Sequence, residues 1–141
     1  MNKILRNIII IGLFFSFQTI AFSQIDKTML QCEKYLVPPF VSDGQEYKAL
    51  LNEDEIAEFN VTLYGGSVYR IIACSGNQDK ELIFSVYDVE KNLLYTNRDF
   101  QNSAYWDFDI KNTVNLTIEA EFADKDGSSG FAVVQIGFKQ Q

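Results

Sequence analysis

Phe59–Cys74 reads FNVTLYGGSVYRIIAC. Phe59, Val61 and Leu63 alternate with Asn60, Thr62 and Tyr64, the two-residue period of a strand with one apolar face. Gly65-Gly66 supplies a turn, where the missing Cβ makes positive φ cheap. Val68–Cys74 follows as a second β-rich run. The stretch predicts two antiparallel strands joined by a tight hairpin. It ends in Cys74, one of only two cysteines in the chain.

On either side the same period recurs. Upstream, Gln45–Leu51 predicts a first strand, entered through an irregular Phe40–Gly44 with a turn at Ser42-Asp43-Gly44. Downstream, Glu81–Tyr87 carries Leu82, Phe84 and Val86 on one face, and Leu93–Thr96 continues as a short strand. Ala104–Ile110 alternates Ala104, Trp106, Phe108 and Ile110 with Tyr105, Asp107 and Asp109, and this alternation predicts a buried Trp106. Val114–Phe122 alternates in the same way, and Phe131–Phe138 is the last strand. Such alternation marks sheets with one dry and one wet face. About eight short strands separated by polar turns predict an all-β antiparallel sandwich of jelly-roll type.

Before the strands, Asp26–Leu36 predicts a short N-terminal helix. Met29, Cys32 and Leu36 share one face, Asp26 or Thr28 can cap it, and Pro38-Pro39 stops it. A helix this short survives only by docking.

The pieces Gly66-Ser67-Val68-Tyr69-Arg70-Ile71, Leu82-Ile83-Phe84-Ser85-Val86-Tyr87-Asp88 and Val114-Asn115-Leu116-Thr117-Ile118 follow one another in an order with a familiar look. It resembles that of secreted bacterial jelly-roll modules, the pre-peptidase C-terminal domains and the GOLD-type β-sandwiches. With Tyr64-Gly65-Gly66, Tyr69-Arg70 and Tyr105-Trp106-Asp107-Phe108, the chain is also similar to uncharacterised secreted proteins of Bacteroidetes-type bacteria. The resemblance implies a jelly-roll fold and an accessory or binding role, and it carries no catalytic residue across.

The chain's 141 residues favour one folded domain. Residues 1–23 read as a secretory signal peptide. Lys3 and Arg6 form the positive start, Ile8–Phe17 is the apolar stretch, and Ala21-Phe22-Ser23 is the cleavage site. Residues 24–39 would hold the helix and a linker, and 40–141 the sandwich. The apolar stretch falls short of the roughly 18–20 residues of a membrane span, so no stable membrane insertion is expected after cleavage. A lipoprotein signal ending at Cys32 is disfavoured by Gln31 before it and by its distance from Phe22. The formal charge of −7 becomes two units more negative without Lys3 and Arg6. So acidic a domain excludes nucleic acid as a partner, because phosphate binding rests on Lys and Arg.

No histidine is present. That removes the commonest general base, the Ser-His and Cys-His nucleophile pairs and the usual zinc site, so no enzyme activity and no cofactor are expected. Asp107 and Asp109 share a strand face about 7 Å apart, which suits a carboxylate pair but equally a solvated surface strand. Asp124, Asp126 and Ser128 are spaced like the start of a calcium loop. Ser129 and Gln135, however, stand where such a loop needs glycine and glutamate, so a polar turn is the plainer reading. Asn60-Val61-Thr62 and Asn115-Leu116-Thr117 match the glycosylation sequon, silent in a bacterial source.

Tyr64, Tyr69, Tyr87 and Tyr105 are candidate binding residues if they lie on the polar face, since tyrosine joins an apolar ring to a hydroxyl. Core packing is the other reading. Cys32 and Cys74, an even pair in an exported chain, are candidates for a disulfide that would pin the helix, or else two buried thiols. The expectation is a non-enzymatic, secreted or periplasmic module that binds a protein or a cell-surface component. A carbohydrate-binding module that takes a cell-surface glycan is the alternative.

Overall fold

The computed structural model describes residues 27–76, 81–124 and 129–140. A helix spans 27–33 and eight strands follow. These are β1 (Phe40–Asn52), β2 (Ala57–Leu63), β3 (Ser67–Ser75), β4 (Leu82–Tyr87), β5 (Leu93–Thr96), β6 (Tyr105–Ile110), β7 (Val114–Phe122) and β8 (Ser129–Lys139). One sheet has the order β1-β8-β3-β6 and the other β2-β7-β4-β5. Every pairing is antiparallel. The fold is the β-sandwich that the alternating runs predict.

The registers show how it forms. β4 pairs with β5, β3 with β6, β2 with β7 and β1 with β8. These are the successive rungs of one long antiparallel ribbon whose tip is the turn at Asp88–Asn92. The ribbon bends between sheets three times, and β3–β8 and β4–β7 close the sheets. This is the jelly-roll wrapping of two Greek keys.

That wrapping corrects the reading of Phe59–Cys74. β2 and β3 do not pair. They lie in different sheets, and Gly65-Gly66 is a corner at which one arm of the ribbon crosses the sandwich. The other arm turns beside it at Lys111–Thr113. Gly66 N donates to Ile110 O (2.7 Å), and Gly65 N donates to Thr113 Oγ1 (3.1 Å). A Cβ on Gly65 would sit 2.7 Å from Lys111 O and 2.9 Å from Asn112 Cα and Thr113 N. Gly66 has open space around it but a φ of +90°. Gly65→Ala is therefore expected to cost about 1–3 kcal/mol by forcing two backbones apart. Gly66→Ala, opposed by its φ alone, should cost less. Urea denaturation of both variants checks the order.

The inter-sheet core contains Leu63, Ile71, Phe84, Val86, Ile118, Phe122, Val134 and Ile136. A second cluster lies on the outer side of the first sheet, where Cys32, Ile72, Cys74 and Val133 pack with Met29, Tyr35, Leu36 and Tyr105. β3 is thus apolar on both faces, which is why Val68–Cys74 reads as a run and not as an alternation. The helix covers the outer side with Met29 and Cys32, and Leu36 packs there from beyond its end. It ends three residues earlier than Leu36, in tighter turns from Tyr35 N to Cys32 O and from Leu36 N to Glu33 O. Asp26, a candidate cap, lies outside the described residues. Gly137 leaves the room that Leu36 fills. Cys32 and Cys74 form a disulfide, with Cα atoms 5.6 Å apart.

β1 starts at Phe40, five residues before the expected Gln45. The Ser42-Asp43-Gly44 turn exists, but as a bulge inside the strand, with pairing on both sides of it. Gly44 N donates to Ser42 Oγ and Gln45 N to Asp43 Oδ1, and Gly44 takes a φ of +83°. Local side-chain bonds satisfy the bulged backbone while the ladder resumes at Glu46.

Candidate functional site

β5 and β6 are neighbouring edges of the two sheets, and the chain between them crosses the open side of the sandwich. A 3-10 turn, Asn97–Phe100, opens this crossing. Thr96 caps it by accepting from Arg98 N. Two successive residues, Gln101 (φ 56°) and Asn102 (φ 54°), then adopt left-handed backbone, a conformation that non-glycine residues keep only where the surroundings fix it. Asn97 does the fixing. Its side chain is fully buried, accepts from Phe84 N (3.0 Å) and donates to Leu82 O and Ser103 O (both 2.9 Å). The loop is held like a framework element while Phe100 stands 43% exposed on it.

Beneath Phe100 lies a cluster of rings. Phe100 and Trp106 centroids are 4.3 Å apart, and Tyr95 stacks near both, at 5.4 Å from Phe100 and 5.1 Å from Trp106. Phe108 meets Tyr95 edge-on at 5.3 Å. Trp106 is half-buried, where alternation predicts burial. The reason is its place on an edge strand, with no further strand among the described residues to cover the ring. Leu93 and Leu94 of β5 are exposed nearby in the chain, as is Val89 at the ribbon tip.

The Tyr95 hydroxyl is buried among these rings, with no hydrogen-bond partner among the described residues. Burial, with the Asp99 carboxylate as the second cause, pushes it up to about 12. An unfolded tyrosine ionises near about 10. Between those values the unfolded chain sheds a proton that the folded chain keeps, so stability falls as pH rises from about 10 toward 12. Spectrophotometric titration should show its latest phenol step, near pH 12, lost in Tyr95→Phe. The same variant should be no less stable than the parent, because no bond is lost.

On the outer side of the same edge, Arg70 closes a clasp over the N-terminal segment. Its guanidinium lies between the rings of Phe40 (4.1 Å) and Tyr105 (4.3 Å). Nε and Nη2 grip Asp107 at 2.7 and 2.9 Å, and Nη1 donates to Tyr35 O at 3.0 Å. The bond to Asp107 raises the Arg70 pKa further. Tyr35 and Tyr105 lean together at 5.4 Å. Between these two rings and Phe100, Gln101, Ser103 and Ala104 opens a cleft of about 300 Å³. That volume is at the bottom of the range for small-molecule sites, and the cleft is open to solvent.

Of the four candidate tyrosines, the structure brings only Tyr105 to this edge. Tyr69 is buried between the sheets, and its hydroxyl accepts from Tyr64 N. For Tyr69 the core-packing reading holds, so the four tyrosines do not form a row on the polar face. Tyr64 is exposed at the Gly65 corner. Tyr87, beside Glu119 on the second sheet, has its pKa raised by burial first and by that carboxylate second. Asp107 and Asp109 do not act as a pair: one holds Arg70 and the other Lys111 (2.6 Å). Of the residues spaced like the start of a calcium loop, Asp126 and Ser128 lie outside the described residues. Among the described residues no group of three acidic, histidine or cysteine side chains could hold a metal, Asp124 included. The sequons face each other across β2 and β7, where Thr62 donates to Asn115 and Thr117 to Asn60.

Sequence reasoning missed Tyr35, Phe100 and Arg70. Phe100 alone left a signal, as an aromatic residue inside a polar loop.

No protein-family profile and no curated protein matches the chain. Among solved structures, PliG of Aeromonas hydrophila, a periplasmic lysozyme inhibitor of g-type lysozyme, is similar with a TM-score of 0.52 and 9% identity. The match covers 67% of this chain and 85% of that one. At that identity the likeness is one of fold. No helix among the described residues is long and apolar enough to cross a membrane.

Proposed function

We propose that this protein is an exported, non-enzymatic module that binds another protein through the open β5–β6 edge. One observation carries the reading. A loop pinned by a fully buried asparagine presents Phe100 to solvent above a ring cluster that no strand of the described residues covers. Rigid aromatic anchors of this kind lose little entropy on binding and dominate protein interfaces. An exposed Phe100 over half-buried rings, with Leu93 and Leu94 exposed on the adjoining strand, suits a macromolecule better than the shallow cleft suits a substrate. The chain's lack of histidine and the protein-binding role of PliG support the same reading. The net charge of −7 favours a cationic partner, which it would steer to encounter.

The first partner to test is a g-type lysozyme, the target of the similar structure. Binding is expected to show as inhibited lysis of cell walls and as a complex in biolayer interferometry. Phe100→Ala should weaken it by roughly tenfold or more, the scale of an anchor residue. A glycan array that lights up, with no lysozyme complex formed, would replace this reading by the carbohydrate-binding one, for which the Tyr35–Tyr105 cleft is the favoured site.

A further inference from the structure

We propose that the free edge of β6 accepts an extended segment of the partner as an added antiparallel or parallel strand, one that alternates apolar and basic residues. This rests on the protein-binding reading above and names the chemistry of its partner.

Backbone parity carries the inference. Ile110 O accepts from Gly66 N (2.7 Å) and Ala104 O from Ala73 N (2.8 Å), so the even-numbered residues of this stretch direct their backbone groups toward β3. In an antiparallel ladder successive residues alternate sides, so Tyr105, Asp107 and Asp109 direct theirs to the free edge. Tyr105 O there is held by the Ser103 hydroxyl (2.9 Å). The backbone groups of Asp107 and Asp109 have no partner among the described residues. A strand laid on this edge would satisfy them and could cover the half-buried rings of Trp106 and Phe108 as it did so.

The other edges are less suited. β1 carries the bulge at Ser42–Glu46, and β5 is four residues long with a register break at Val86–Tyr87. β2 keeps an unbroken register with β7, but its outward face carries a single carboxylate, Glu58, beside Asn60 and Thr62. β6 keeps an unbroken register with β3 from Tyr105 to Ile110.

Charge fixes the kind of strand. The Asp107 and Asp109 side chains point the same way and each already holds a cation, at 2.7 and 2.6 Å. Lys111, the cation on Asp109, is 78% exposed and can give way to an incoming lysine or arginine. An acidic strand would meet two carboxylates in a chain of charge −7.

The test needs no natural partner. A short peptide alternating lysine and valine, and its glutamate–valine counterpart, are titrated against the protein while amide hydrogen exchange is followed. The lysine peptide should bind and slow exchange at Asp107 and Asp109, and the glutamate peptide should not. Asp109→Pro removes an outward N–H and no bond to β3, so it should melt like the parent and lose about tenfold in peptide affinity. Should that variant fold poorly, Asp109→Lys serves, and it should bind the lysine peptide more weakly than the parent does. No binding by the lysine peptide, equal binding by both peptides, or binding without protection of these two amides overturns the inference. A lysozyme complex that leaves Asp107 and Asp109 exchanging freely would keep the protein-binding reading and discard strand addition. Edge protection by the lysine peptide with no lysozyme complex would keep the strand site and discard that partner.

Discussion

Replacing Cys32 and Cys74 together by serine is expected to lower stability by about 4 kcal/mol. The bridge joins residues 42 apart in sequence, and closing a loop of that length removes roughly that much chain entropy from the unfolded state. The effect is concentrated on the helix. Seven residues of helix do not persist alone in water, and this one is kept by Cys32 and by packing over Ile72 and Val133. Losing it would open an apolar patch on the outer side of the first sheet. The clasp below the helix does not depend on sulfur, since Arg70 holds Tyr35 O directly. The variant should therefore lose helix signal while Tyr35–Phe40 stays docked. Guanidinium denaturation of the parent, oxidised and reduced, and of the variant measures this. Reduced parent and variant should coincide, and a loss below about 1 kcal/mol would mean that packing alone holds the helix.

The strands were legible because each is a local property. Val114–Phe122 has the same bounds in the sequence pattern and in the structure, since Leu116, Ile118, Ala120 and Phe122 face one core and the polar residues between them lie on the other face. The partnering of strands is not local. A Gly-Gly between two β runs looks the same whether the chain folds back on itself or turns a corner between sheets. What separates the two here is the approach of Lys111–Thr113 to Gly65, some 46 residues away in the chain. The candidate site was hidden for the same reason. Arg70 is the one charged residue of Val68–Cys74 and reads as solvent-facing, and only the arrival of Phe40 and Tyr35 over β3 makes it a clasp. Tyr69 and Tyr105 belong to paired strands and look alike in sequence. One faces the inter-sheet core and the other the helix-covered side, a choice set by register. Trp106 obeys its alternation in direction. Its half-exposure comes from β6 ending its sheet among the described residues, a fact of strand order. Cys32 and Cys74 were readable as a pair because export and an even count favour bonding, but their meeting depended on where the helix docks.

Asn97→Ala is expected to cost about 4 kcal/mol and to abolish partner binding together with fold stability at the β5–β6 edge. Asn97 looks like any loop asparagine in sequence, yet its side chain closes three backbone groups at once. It continues the β4 ladder by accepting from Phe84 N, ties Leu82 O from the same strand, and reaches forward to Ser103 O. Alanine leaves all three without that partner, and each buried orphan costs about 1–3 kcal/mol, offset where water can enter near Ser103. The left-handed pair Gln101 and Asn102 then loses what fixes it, so Phe100 leaves its place over Trp106. A charged replacement separates hydrogen bonding from shape. Asn97→Asp keeps the acceptor for Phe84 N and, while protonated, a donor for one carbonyl. Its carboxyl would be raised in pKa by burial, so its stability should be greatest in acid and fall as pH rises and the group ionises. The parent has no such group at this position. Thermal melts of both variants across pH, with Trp106 fluorescence as the local probe, check the outcome. A pH-independent Asn97→Asp, or an Asn97→Ala that melts with the parent and keeps its Trp106 emission, would show that packing of the rings, and not Asn97, holds the loop.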